Sequence, residues 1–286
     1  MEKETPKVTI VLPTYNGQKY IRESIESVLA QSMEDFELII VDDCSNDDTN
    51  AIAAEYAQRD GRVRVIRNEI NRKLPASLNR GFEEAKGEYL TWTSDDNLYE
   101  KNALEEMCRV LNAEPEVGLV YCDYNEIDEN GQIICEIRTS DVNKLCYVNC
   151  VGACFLYRSS VAAQIGKYDE NMFLSEDYDY WLRIYKASNI KHLPMLLYRY
   201  RVHGKSLTAT RQELIRNQTA KLWMKHINFL VKKVETEEDL YFLCDAILKN
   251  AREEDKKLYY KEICRNSRKY QWKTFKRKVR RVLGKA

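Results

Sequence analysis

The chain has no apolar run near the roughly 18 residues needed to cross a bilayer, which excludes a membrane-spanning helix. Its nine cysteines include no CxxC pair, and an odd number fits a disulfide framework poorly. Buried, reduced thiols in a cytoplasmic protein are therefore expected. Cys146, Cys150 and Cys154 are spaced for one helix face, but too few histidines lie near them to suggest zinc. Formal net charge is zero, so the chain as a whole is not a polyanion binder, and no nucleic-acid motif is present. The opening MEKETPK mixes charges and precedes only the short run VTIVL, so it does not read as a signal peptide. The loop after that run holds a single glycine. It is no Gly-rich phosphate cradle, which argues against a nucleotidyltransferase.

Short β-branched runs alternate with helical patterns through the first half. Strands are expected at Val8–Leu12, Glu37–Val41, Arg62–Arg67, Tyr89–Thr93 and Gly118–Tyr121. Helices are expected through Ile21–Leu29, around Ile52–Tyr56, at Ala76–Ala85 and at Ala103–Leu111. Alternation of this kind makes crossover units and a parallel sheet covered on both faces. The fold class read here is α/β: a mostly parallel nucleotide-binding sheet flanked by helices, with a C-terminal helical appendage. Asp128–Gly131 (DENG) has hairpin chemistry. Apolar Cys154–Tyr157, a helix at Asp177–Lys186 and a strand at Leu196–Tyr200 follow. From about Glu213 the chain is helical and charged, without glycine until Gly284.

In an open α/β sheet, ligands sit at the carboxyl ends of the strands. Polar clusters stand there after the first four expected strands: TYNG, DDCSND, NRK and TSDDN. Their coincidence is the main physical argument for a nucleotide site. Asp95 and Asp96 repel each other and lose hydration unless donors or a cation compensate. A divalent ion such as Mg²⁺ or Mn²⁺ bridges such carboxylates to a diphosphate. Capping of the next helix is the plainer use of the same residues. Asp42 and Asp43 can accept from a base N–H or a ribose hydroxyl, or cap. Tyr15 offers a flat face for a base. Lys73, with Arg72, can bring charge to a diphosphate, or remain solvated.

VTIVLPTYNG, LIIVDDCSNDDT, KLPASLNRGF, GEYLTWTSDDN and SEDYDYWLR occur in that order. Together they resemble the inverting glycosyltransferases of family 2, with the glycosyltransferase A fold, over about Lys7–Ser206. The resemblance implies that Pro13, Thr14 and Tyr15 pack on the base and Asp43 accepts from its imide, with Asp42 beside it. It places Lys73 to Asn79 near the diphosphate and sugar. It makes Asp96 the direct metal ligand and Asp95 a ribose or sugar contact. Many members carry a third acid where this chain has Ser94, so metal affinity would rest mainly on Asp96. Asp177 matches the catalytic base, and Glu176 beside it a structural or acceptor-binding acid. A cap is the other reading of Asp177. His203, in RVHGKS, either reaches the metal or diphosphate or is simply exposed. Gly152-Ala153 is expected to floor an acceptor sugar, since residues this small admit a ring.

The expected division is a catalytic domain over 1–210, with a donor half to about 125 and an acceptor half from about 126, and a helical extension over 211–286. The last fifteen residues hold seven Lys or Arg and no acid. At 100° per residue, Trp272, Phe275, Val279, Val282 and Leu283 fall within an arc of roughly 100°. Segment 271–286 therefore either docks on an anionic membrane, at the inner face of the plasma membrane, or packs on the protein's own helices. The function implied is transfer of a sugar from a nucleotide-sugar, a UDP-sugar first, to a saccharide or lipid-linked acceptor in cell-surface polysaccharide synthesis. The alternative is a non-catalytic relative. Retention of Asp43, Asp95, Asp96 and Asp177 together argues against it, since a scaffold needs none of them.

Overall fold

A computed structural model describes residues 5–266. The basic segment 271–286 lies outside the described residues. Strands β1 (Val8–Thr14), β2 (Phe36–Asp42), β3 (Val63–Arg67) and β4 (Tyr89–Trp92) run parallel in the order β3-β2-β1-β4. Helices α1 (Ile21–Leu29), α2 (Thr49–Arg59) and α3 (Leu74–Phe82) connect them. All seven residues of β1 are buried, as both covered faces require. Alternate side chains feed two separate cores. Ile10, Leu12, Leu38 and Ile40 pack toward α1 and α2, while Val11, Ile39 and Val41 pack toward α3. Gly81 of α3 is needed for that approach, because a Cβ there would meet Val11 Cγ1 at 2.5 Å.

The second half widens this sheet with strands of both directions. These are β5 (Leu98–Tyr99), β6 (Val117–Ile127), β7 (Ile133–Ile137), β8 (Phe155–Arg158) and β9 (Asn189–Arg201). The full order is β3-β2-β1-β4-β8-β6-β9-β5, with β7 hydrogen-bonded to β6. β8 is antiparallel to β4 and β6, whereas β9 runs parallel to β6. The expected parallel sheet is thus the first four strands, and the later strands make it mixed. β9 starts seven residues before the expected Leu196. Where its register jumps from Leu193 to Leu196, the skipped residues include Pro194, which has no N–H for the ladder. Helix α4 (Ala103–Ala113) packs on β6, and α5 (Ser159–Ile165) packs on α6 (Glu176–Ala187). Cys146, Cys150 and Cys154 do not share a helix. Cys146 closes a short 3-10 turn and Cys154 immediately precedes β8, so the expected common face is lost, although all three thiols are buried.

After β9 come α7 (Leu207–Thr210), α8 (Gln212–Lys233), α9 (Glu237–Asn250) and α10 (Glu253–Asn266). α8 and α9 contribute Leu222, Trp223, Ile227, Leu243 and Ile247 to the same core as Tyr178, Trp181 and Ile184 of α6. A buried polar network joins the two helices. Asp179 of α6 is fully buried and accepts from His226 Nε2 at 2.8 Å, Lys225 Nζ at 2.8 Å and Arg183 Nε at 2.8 Å. Trp223 Nε1 donates to the Tyr178 hydroxyl at 3.0 Å, and the Ser175 and Thr219 hydroxyls meet at 3.2 Å. Burial pushes the Asp179 carboxyl up, but the hydrogen bonds from His226 and Lys225 outweigh it and hold the group well below the usual carboxylate range.

Removing one partner from a buried ionic network leaves the others uncompensated. Asp179→Asn is therefore expected to cost about 3 kcal/mol of stability at pH 7, measured by urea unfolding. Because its pKa is depressed in the folded state, the contribution is complete above the unfolded value of about 4 and shrinks as pH falls below it. A loss under about 0.5 kcal/mol at pH 7 would show that the network does not hold α8 to α6.

Candidate active site

The clusters that follow the first four strands converge on one cleft of about 1980 Å³. Tyr15, Asn16, Gly17, Asp43, Asp47, Asn71, Lys73, Ser94, Asp95, Asp96 and Asn97 all line it. Asn149, Gly152, Ala153, Glu176, Asp177, His203 and residues of α8 line the same cleft. Loops one and two are tied together directly. Asn16 N donates to Ser45 Oγ at 2.9 Å, and Asn46 N donates to Asn16 Oδ1 at 2.9 Å.

Pro13 and Thr14 end β1 buried, and Tyr15 beyond them is 48% exposed, with its ring open to the cleft. The Thr14 hydroxyl donates to Asp95 Oδ2. Gly17 lets this pair sit where it does, since a Cβ there would lie 2.1 Å from Asp95 Oδ2. Burial and the neighbouring Asp96 push the Asp95 carboxyl up to about 7. Asp96 Oδ2 lies 2.9 Å from His203 Nε2. Lys205 N approaches His203 Nδ1 at 3.3 Å, which favours the tautomer with its proton on Nε2, facing Asp96. The His203 ring also packs 5.5 Å from that of Tyr20, so this residue is held against the carboxylate rather than left in solvent.

Asp43 is buried and organises the third loop. Its Oδ1 accepts from Asn68 Nδ2 at 2.8 Å and Arg72 N at 2.8 Å, and its Oδ2 from Lys73 N at 2.9 Å. Lys73 sits at φ 71° and ψ 166°, a region otherwise nearly confined to glycine. The bond to Asp43 and the Ser77 N–H on its carbonyl hold that strained residue in place. The non-glycine residues with positive φ among those described are Asn16, Cys44, Lys73 and Leu174. Each lies in a loop bordering the cleft, the usual place for strain at a working site.

Two expected site residues are turned elsewhere. Asp42 is fully buried, accepts from Ser45 N at 2.9 Å and pairs with Arg67 Nε at 3.3 Å. As the last residue of β2, it points to the opposite side from Asp43 and caps the loop. Asn79 lies within α3, where its side chain accepts from Tyr168 N at 2.9 Å and donates to Tyr168 O at 3.0 Å. It fastens α3 to the chain before α6 and does not line the cleft.

Also lining the cleft, α6 opens with Glu176 and Asp177, and its helix dipole favours negative charge there. Glu176 is 5% exposed, and its Oε2 has no hydrogen-bond partner among the described residues. Burial and the adjacent Asp177 push its carboxyl up to about 8. Burial also raises Asp177, opposed by backbone N–H groups and by Asn149 Nδ2, which donates to Asp177 Oδ2 at 3.0 Å. A second unpartnered buried acceptor, Asn71 Oδ1, belongs to another lining residue. Buried acceptors of this kind fit a ligand rich in hydroxyl groups.

Asn149 was not marked by any local pattern in the sequence, Asn71 stood only as part of NRK, and Arg201 only as the start of RVHGKS. The Arg201 guanidinium is completely buried. It bonds Glu23 Oε2 at 2.7 Å, Asp96 O at 2.8 Å and Glu129 O at 3.1 Å, and lies over the Tyr20 ring at 4.4 Å. A cation at the end of a tyrosine-rich strand gives no hint of this in sequence, because all its partners are distant along the chain.

Known proteins resemble this chain in sequence and in fold. The model of glycosyl transferase family 2 matches residues 9–166, so Asp177 and His203 lie beyond the matched stretch. An uncharacterised glycosyltransferase of Rickettsia typhi is 30% identical over 240 residues, covering 80% of this chain and 74% of that protein. One of Methanocaldococcus jannaschii is 32% identical over 191 residues, covering 64% of this chain and 66% of that protein. Among solved structures, Staphylococcus aureus TarS residues 1–349 in complex with UDP-GlcNAc has a TM-score of 0.62 at 18% identity, over 92% of this chain and 89% of that one. A Pyrobaculum calidifontis mannosyltransferase in complex with GDP-Man and Mn²⁺ has a TM-score of 0.63 at 18% identity, over 87% of this chain and 72% of that one. Both share the glycosyltransferase A fold with this protein. Among the described residues no helix is long and apolar enough to cross a membrane. By the extent of the family match and the similarity to these relatives, the chain belongs to glycosyl transferase family 2.

Proposed function

We propose that this protein transfers a sugar from a nucleotide-sugar, a UDP-sugar first, to an acceptor hydroxyl with inversion at the anomeric carbon. The observation that carries the reading is one cleft that brings Asp43, Asp95 and Asp96 together with the Glu176–Asp177 pair that opens α6. At about 1980 Å³ it exceeds the roughly 300–1,000 Å³ of a single small-ligand pocket, leaving room for donor and acceptor together.

Three protein donors already occupy Asp43, so its carboxylate has capacity for one more, suited to the imide N–H of a base lying on Tyr15. Asp95 contacts the ribose or sugar, and Lys73 faces the diphosphate. The residues fit a divalent cation only in company with the donor. Asp96 and His203 give two ligands, and no group of three or more candidate ligand side chains occurs among the described residues. Asp96 and His203 would hold Mn²⁺ or Mg²⁺ together with diphosphate oxygens, and the ion would supply Lewis-acid stabilisation of the leaving group. Asp177 takes the proton as the acceptor oxygen bonds to the anomeric carbon and the bond from that carbon to the diphosphate breaks, its electrons leaving with the phosphate. The acceptor is a saccharide or a lipid-linked saccharide of cell-surface polysaccharide synthesis. The protein works at the cytoplasmic side of the membrane, and 271–286 is rich in Lys and Arg.

Two measurements follow. In a nucleotide-release assay over UDP-, GDP- and dTDP-sugars with Mn²⁺ or Mg²⁺, the wild type turns over at least one donor. Asp96→Ala loses metal-dependent donor binding, whereas Asp177→Asn binds donor normally and loses about 10²–10⁴ in turnover. Unchanged transfer by Asp177→Asn would remove it as base. The base must be ionised, so the rate rises with pH through its pKa. Asn149 favours the ionised form by hydrogen bonding, so Asn149→Ala shifts the acid limb of the kcat/KM profile to higher pH. A limb that stays in place or moves down would contradict that role.

A further inference from the structure

Charge is unevenly spread over the cleft. Its acids, Asp43, Asp47, Asp95, Asp96, Glu129, Glu176 and Asp177, come from the chain up to the start of α6, with Lys19 and Lys73 among them, whereas from Tyr178 onward the lining holds Lys205, Arg211, Lys221 and Arg252 and no acid. Arg211, Leu214, Gln218 and Lys221 follow one another at i, i+3, i+7 and i+10, which makes one stripe along α8. This stripe is not the packing face. Leu222, Trp223 and Ile227 hold α8 to the core, while Arg211, Leu214 and Lys221 are exposed. The contact of Thr219 with Ser175 brings the stripe past the turn that carries Glu176 and Asp177.

Two of these cations, Arg211 and Lys221, differ from their paired neighbours. Lys225 of the same helix lies 2.8 Å from both Asp169 and Asp179, and Arg183 lies 2.8 Å from Asp179. Arg211 and Lys221 have no carboxylate within 4.0 Å among the described residues, and Arg252 reaches Glu254 only at 3.7 Å. Unpaired cations facing a cleft hold a positive field where an anionic ligand gains most and a neutral one gains nothing. Ten residues of helix set Arg211 and Lys221 about 15 Å apart along the axis, more than one phosphate or carboxylate spans.

We propose that the α8 face of the cleft is the acceptor subsite, and that it takes an extended acceptor bearing phosphate or carboxylate groups on Arg211 and Lys221. The proposal rests on the transferase reading given above, with Asp177 facing the acceptor. The anionic group belongs either to the glycan itself or to a lipid phosphate, with the exposed Leu214 of the stripe beside it.

The test is calorimetric binding to the full chain with saturating UDP and Mn²⁺, so that the donor end is filled. The probes are a galacturonate hexamer, farnesyl phosphate and neutral maltohexaose. An anionic probe is expected to bind the wild type and maltohexaose much more weakly. Arg211→Ala/Lys221→Ala should weaken the anionic probe at least tenfold with UDP affinity unchanged. Arg216→Ala/Lys232→Ala removes the same charge from α8 away from the cleft and should bind like the wild type. Loss confined to galacturonate assigns the cations to the glycan, and loss confined to farnesyl phosphate assigns them to a lipid carrier. Equal binding of neutral and anionic probes, no binding of either anionic probe, no loss in the cleft variant, or the same loss in the control variant would overturn the proposal. Failure of UDP to bind at all contradicts the donor reading instead, and the anionic probes still report on α8.

Discussion

Arg201 ends the longest strand of the sheet and turns its whole guanidinium inward beneath the rim of the cleft. A buried guanidinium is tolerated only when its donors and its charge are met. Here the Glu23 carboxylate, the carbonyls of Asp96, Asp128 and Glu129, and the face of Tyr20 meet them. Those partners come from α1, from the loop after β4 and from the hairpin after β6. A single side chain therefore fixes the height of the Asp95–Asp96 loop relative to the end of β9. Two residues further on, His203 arrives at Asp96, and the chain then starts α7 and α8. Lysine in this place has neither the planar fork nor the same fit over an aromatic ring.

The start of α6 is positioned by a second buried ionic centre of reversed sign. There an anion, Asp179, is surrounded by His226, Lys225 and Arg183. It stands on the same helix as Asp177, two residues later, so fastening Asp179 to α8 also fastens the start of α6. The cleft also keeps carboxyl groups buried next to one another in sequence, Asp95 by Asp96 and Glu176 by Asp177. Asp95 and Glu176 are both pushed up by burial and by a neighbouring acid. Energy held in that form is available to a ligand that brings a cation or hydroxyl donors.

Much of the donor end was legible in sequence, because its determinants are local. β-Branched runs gave the strands, and polar clusters directly after them gave Tyr15, Asp43, Lys73, Asp95 and Asp96, all of which reach the cleft. Strand geometry could have separated Asp43 from Asp42, since adjacent residues at a strand end point to opposite sides. Asn79 was misplaced for a different reason. Its partner, Tyr168, lies 89 residues away, and nothing nearby shows that the amide is already engaged. The same distance hid Arg201, Asn149 and the Asp179 network. The second half was also harder to read as a sheet, because β5 is two residues long and β9 carries Pro194 at a register jump. The uneven spread of charge over the cleft is wholly tertiary. Along the chain Arg211 and Lys221 look like any solvated helix face.

The central claim is that Asp177 stands across the cleft from the leaving diphosphate and drives direct displacement. Product stereochemistry tests this most directly. With an α-linked nucleotide-sugar donor, the anomeric proton of the newly transferred sugar, followed by nuclear magnetic resonance from the first turnovers, is expected to show the β configuration. An α product, with the donor's configuration retained, would contradict the account.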